Sequence, residues 1–160
     1  MEDLLNKESV KRVQEIMTQF DSKLKILILD TTARTAKDAA NSLKCEVGAI
    51  VKSLLFRADS SFLICLIAGD RRCSLNKLKK ILEKKDVCMA NADEVKLNTG
   101  FSIGGVAPIA HIKKLDILID KSLSRFDYVF GAAGHPNCVF KINYNKLLQI
   151  TNGTEKEISE

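Results

Sequence analysis

Residues 49–68, AIVKSLLFRADSSFLICLIA, decide the fold. Ala49 to Arg57 reads as a strand, with Ile50, Val51, Leu54, Leu55 and Phe56 supplying its apolar positions. Ser61 to Ala68 is an unbroken apolar run of strand length. A strand without polar alternation suits the middle of a sheet, covered on both faces. Ala58-Asp59-Ser60 between them is short, which predicts a hairpin. Lys52 interrupts the first strand. Lysine is rarely buried unless paired or functional. Two readings stand at this point: a solvent-facing position with a snorkelling stem, or a site residue.

Outward from the hairpin, helices and strands alternate irregularly. Before it, Ser9 is a predicted N-cap for a helix whose Val10, Val13, Ile16, Met17 and Phe20 recur at helical spacing. Lys25 to Asp30 reads as a buried strand, and Thr35 as the cap of an alanine-rich helix from Ala36 to Leu43. After it, Ser74 caps a helix with Leu75, Leu78, Ile81 and Leu82 inward and Lys77, Lys79, Lys80, Lys84 and Lys85 outward. That lysine face is either simply solvated or a footprint for a phosphate backbone. Ala92 to Leu97 is a predicted short helix; Leu115 to Ile119, Tyr128 to Ala133 and Cys138 to Ile142 are predicted strands. Tyr144 to Leu148 starts a last helix. Without regular βαβ alternation, this pattern predicts an α+β fold. The end, Thr151 to Glu160, is polar and acidic and reads as a disordered tail after a domain spanning 1–150.

The totals fit one soluble domain. The chain has 160 residues, of which 46% are hydrophobic and 28% charged, enough for a real core. A net charge of +5 is compatible with a polyanionic partner without requiring one. The five cysteines are odd in number and form no C-x-x-C pair, so they read as reduced thiols in a cytoplasmic protein. With only His111 and His135 as imidazoles, no metal or cofactor site is expected. The acidic start Met1-Glu2-Asp3 has no apolar segment after it, so no signal peptide is expected. No apolar run approaches the roughly 18 residues of a membrane span.

Two punctuated loops remain. Gly100 to His111, GFSIGGVAPIAH, holds three of the eight glycines and one of the two prolines. Taken alone it is either a tight turn or a rigid loop presenting bare amides. Ala132 to Asn137, AAGHPN, is the second. There is no G-x-S-x-G elbow, no P-loop, no G-x-G-x-x-G and no paired carboxylates. What is left is a donor loop, one lysine in a strand and a Gly-His-Pro-Asn loop. That set suits a protein that binds, orients and polarises while the substrate supplies its own proton acceptor.

Thr35-Ala36-Lys37-Asp38-Ala39-Ala40, Ala49-Ile50-Val51-Lys52-Ser53-Leu54, residues 99–108 (TGFSIGGVAP) and Ala133-Gly134-His135-Pro136-Asn137 occur in an order that resembles the YbaK/EbsC family. That family is related to the editing domain inserted in bacterial-type prolyl-tRNA synthetases. The resemblance covers roughly residues 30 to 150 and implies a mixed sheet, curved into a partial barrel and surrounded by helices. It implies hydrolysis of the ester in mischarged tRNA, a small amino acid on a proline tRNA. By the same resemblance Lys52 matches the functional lysine and would pair with the terminal-adenosine phosphate or support the charge developing on the ester, Gly104 opens the G-x-x-x-P loop ending at Pro108, and His135 matches a pocket histidine. Gly104 and Gly105 amides would face the ester carbonyl as catalytic donors, and Ser102, Pro108, Gly134 and His135 would bind substrate. The implied partners are a tRNA acceptor end and a synthetase, not a membrane or DNA. Ala110 stands where many members have glycine, which puts the loop geometry in question. His111 reads as structural. The alternative is a non-catalytic module on the same scaffold, binding a tRNA end, a nucleotide or a synthetase.

Overall fold

The expected hairpin is the spine of the molecule. In a computed structural model describing residues 3–160, β2 (Val51–Ala58) pairs antiparallel with β3 (Ser61–Ala68), from Val51 opposite Ala68 to Ala58 opposite Ser61. Met1 and Glu2, where the absence of a signal peptide was read, lie outside the described residues. Three more strands extend the sheet: β4 (Val87–Met89), β5 (Asp116–Asp120) and β8 (Thr154–Lys156), in the order β4-β2-β3-β5-β8. β5 runs parallel to β3, and β8 parallel to β5. A second sheet has the order β1-β7-β6, from β1 (Ile26–Ile28), β6 (Tyr128–His135) and β7 (Cys138–Asn143). A single parallel bridge, Ile50 to Phe130, links the two. The α+β single domain is as expected. The one curved sheet of the sequence reading is instead two sheets, neither closed into a barrel.

β3 shows why its sequence does not alternate. Ile64, Leu66 and Ala68 join the larger core, while Leu63, Cys65 and Ile67 join a smaller one on the opposite face. Both faces are buried, so no position is left for a polar side chain. Helix α1 (Glu8–Phe20) buries Val10, Val13 and Met17 completely in the larger core. Helix α3 (Leu75–Leu82) covers the smaller core with Leu78. Ser74 caps α3, as expected, by accepting from Lys77 N–H at 3.2 Å. Helix α4 (Ala92–Thr99) starts in a capping box between Asn91 and Glu94 and stops at Gly100, whose φ is +80°.

Three expectations are corrected. Ser9 is not the N-cap of α1; the cap position is Lys7, and the Ser9 hydroxyl instead donates to Gly134 O at 2.8 Å. The strand in 25–30 is an edge strand, with Leu27 and Ile28 40% and 50% exposed, because only β7 flanks it. The disordered tail is ordered. Thr151 closes α5 (Tyr144–Thr151), β8 follows, and Ile158 is fully buried in the smaller core. The buried Asp120 carboxylate accepts from Ile158 N–H, Ser159 N–H and the Ser159 hydroxyl at 2.8, 3.1 and 2.9 Å. Burial works against its charge, but those bonds and the Ser122 hydroxyl hold the carboxyl below its usual range. One apolar anchor and one buried acceptor are enough to order a segment whose composition is polar.

Candidate active site

A cavity of about 380 Å³ opens between the start of α2 (Ala36–Leu43), β2, the glycine-rich loop and β6. Thr35 fixes the α2 start by accepting from Asp38 N–H at 3.1 Å, which turns Ala36 and Ala39 to the cavity. Ala33, Gly131 and Ala132 add more small residues. The outer rim carries Met89 and Ile103, 56% and 64% exposed.

Each glycine of the loop has its own reason. The Gly105 amide donates to Ser102 O at 3.0 Å, closing a turn in which Gly104 takes φ +97°. A Cβ on Gly105 would lie 2.9 Å from His135 N and 3.0 Å from His135 Cα. The first glycine therefore makes the turn and the second lets it press against the end of β6. Pro108 packs behind, where a Cβ on Gly131 would lie 3.3 Å from its Cδ. Ala110 takes φ +63°, the left-handed conformation that glycine adopts without strain, and its carbonyl is held by Arg12 Nε at 2.8 Å. His111 is structural: its Nε2 lies 2.8 Å from Ala107 O and its ring meets Phe101 edge-on. Burial pushes its pKa below the usual histidine value.

The expected site residues divide into two shells. Lys52 and Gly104 line the cavity. Ser102, Gly105, Pro108, Gly134 and His135 are not among its lining residues; Ser102 is exposed, and Gly105 packs against the His135 backbone. The Gly105 amide is already engaged in the turn, whereas the Gly104 amide has no acceptor among the described residues. His135 accepts from Asn137 N–H at Nδ1, 3.0 Å away. Its loop clamps the chain entering α2, through Leu29 N–H to Asn137 O at 2.7 Å and Ala33 N–H to Pro136 O at 2.6 Å. The Lys52 ammonium donates to Arg71 O. Burial lowers its pKa, Arg72 adds to the fall, and Asp70 opposes it.

Two cavity residues carried no sequence signal. The Ser53 hydroxyl is, among the described residues, the buried side-chain polar atom without a hydrogen-bond partner. Arg34 lies at the mouth, its Cγ 3.3 Å from where a Cβ on Gly104 would be. The cavity wall includes no carboxylate, imidazole or thiol. Among the described residues no three His, Cys, Asp or Glu side chains gather as a metal site, and no helix is long and apolar enough to cross a membrane. Of the α3 lysine face, Lys77 donates to Ser159 O at 2.6 Å and so ties down the C-terminal segment, and Lys84 approaches Asp59 at 3.6 Å.

Residues 30–150 match the aminoacyl-tRNA editing domain family, and the chain belongs to it. YwhH of Bacillus subtilis, an uncharacterized protein, is 30% identical over 153 residues, 95% of this chain and 90% of its own. The proline–tRNA ligase of Caldicellulosiruptor saccharolyticus is 31% identical over 108 residues, 68% of this chain but only 17% of the ligase. A crystal structure described as a candidate trans-editing enzyme for prolyl tRNA synthetase superposes with a TM-score of 0.90 at 33% identity. That match covers 96% of this chain and 98% of the other.

Proposed function

We propose that the chain is a free-standing deacylase that hydrolyses the ester of mischarged tRNA, a small amino acid on proline tRNA. The observation that carries this is a cavity with two cations, Lys52 and Arg34, and the unengaged Gly104 amide on its wall, and, among the described residues, no carboxylate, imidazole or thiol. Such a wall can stabilise negative charge on an ester carbonyl, which suits a reaction whose substrate supplies its own proton acceptor. In this reading water adds to the ester carbonyl carbon while the Gly104 amide faces the developing oxyanion. The vicinal ribose hydroxyl accepts the water's proton and relays one to the departing ribose oxygen. The acyl C–O bond breaks, leaving a free amino acid and a tRNA with both terminal hydroxyls. A synthetase pocket cannot reject one small apolar side chain strongly by binding alone, which gives such an activity a use.

The second reading, a module that binds the tRNA end without cleaving it, is favoured by one observation: the Lys52 ammonium is turned to the Arg71 carbonyl. Incubation with a panel of mischarged tRNAs separates the two. The deacylase reading expects release of a small amino acid from proline tRNA above spontaneous hydrolysis. Binding without release from any member of the panel contradicts it and selects the binding module.

A further inference from the structure

Two cations line the cavity, Lys52 and Arg34, and they differ in what they already hold. The Lys52 ammonium has a carbonyl partner inside the protein. The Arg34 guanidinium has no hydrogen-bond acceptor or ion-pair partner among the described residues. Its side chain is exposed and starts beside Gly104, with Cβ and Cγ 3.7 and 3.3 Å from the position a Gly104 Cβ would take. Among the described residues the Gly104 amide has no acceptor, nor have those of Ile103 and Val106 on the same wall, so the Arg34 side chain starts beside the stretch where the ester carbonyl is proposed to sit. A planar, permanently charged fork at the open mouth of the cavity fits a phosphate. In a tRNA end, the nearest phosphate to the ester is the diester on the 5′ side of the terminal nucleoside. We propose that Arg34 is the positioning residue for that phosphate. It would grip the terminal nucleotide from the mouth while Lys52 serves the ester end. This rests on the deacylase reading and adds to it a residue outside the motifs that carry the family resemblance.

The test uses a non-hydrolysable probe, 3′-alanylamido-3′-deoxyadenosine, made with a free 5′-hydroxyl and as its 5′-phosphate methyl ester. Binding of both forms is measured by calorimetry on the wild-type chain, Arg34→Ala and Arg34→Lys. Wild type is expected to bind the phosphate form about tenfold more tightly, the effect of one charge-assisted contact. Arg34→Ala should erase that preference and leave the hydroxyl form's affinity unchanged; Arg34→Lys should keep part of it. Equal affinity of wild type for the two forms overturns the assignment, as does a preference that survives in Arg34→Ala. Equal loss of both forms in Arg34→Ala also overturns it, since that is the mark of lost packing on Gly104. Phosphate-blind binding leaves the deacylase reading standing; failure of wild type to bind either form removes both.

Discussion

Replacing Lys52 by alanine is expected to cut deacylation of a mischarged tRNA by about 10²- to 10³-fold, the usual cost of deleting one preorganised charge-stabilising group. The fold should survive. Lys52 is half-buried at the edge of the cavity, and its loss removes one donor from the Arg71 carbonyl in an exposed turn. Thermal unfolding together with single-turnover hydrolysis separates the two effects: rate should collapse while the melting temperature moves little. The role also has a pH signature. The ammonium must be charged to act, and burial has lowered its pKa. Activity should therefore decline on the alkaline side at a lower pH than an ordinary lysine would impose. A folded Lys52→Ala variant with full rate would refute the assignment.

Gly134→Ala, near the end of β6, should be strongly destabilising. Its φ of +90° is one that L residues rarely adopt, and a Cβ would lie 2.6 Å from Ser9 O and 2.8 Å from Ser9 C. Those atoms are helix backbone, and the Ser9 hydroxyl already ties α1 to Gly134 O. Strain of about 1–2 kcal/mol and displacement of the helix should together cost about 3 kcal/mol. For a chain of this size that is a fall of roughly 6–12 °C in melting temperature. Gly104→Ala is the internal comparison. Its φ is similar, but the added methyl would meet only side-chain atoms, Arg34 Cγ at 3.3 Å and Arg34 Cβ and Pro136 Cγ at 3.7 Å. It should lose much less stability than Gly134→Ala and more of the activity. Equal melting temperatures for Gly134→Ala and wild type would contradict the packing of α1 on β6.

The hairpin was legible because its physics is local and redundant. Apolar run, short turn and strand length all point one way in residues 49–68, and β3 behaves as a strand buried on both faces. The tail was not legible, because its order depends on Asp120 and Ile158, which are far apart in the chain and gain meaning only when the sheet brings them together. The site was legible in part for the same reason. Lys52 stands out as a charge in an apolar strand, and Gly104 as a turn glycine. Arg34 looked like any surface arginine, and Ser53 like any small polar residue. What marks them is the cavity, the close approach of Arg34 to Gly104, and the unpartnered hydroxyl. The close approach of Gly105 to the His135 backbone likewise emerges only from the fold, since the two are thirty residues apart in the chain.

The central claim is that this cavity hydrolyses an aminoacyl ester without a protein base. It is tested most directly by single-turnover hydrolysis of two proline tRNAs bearing the same small amino acid on the same ribose oxygen. One has the vicinal hydroxyl and the other has hydrogen in its place. Hydrolysis of the intact substrate, with a loss of about 10²- to 10⁴-fold on removing the hydroxyl, is the expected result for a proton transfer the substrate itself performs. Equal rates for the two substrates would contradict it.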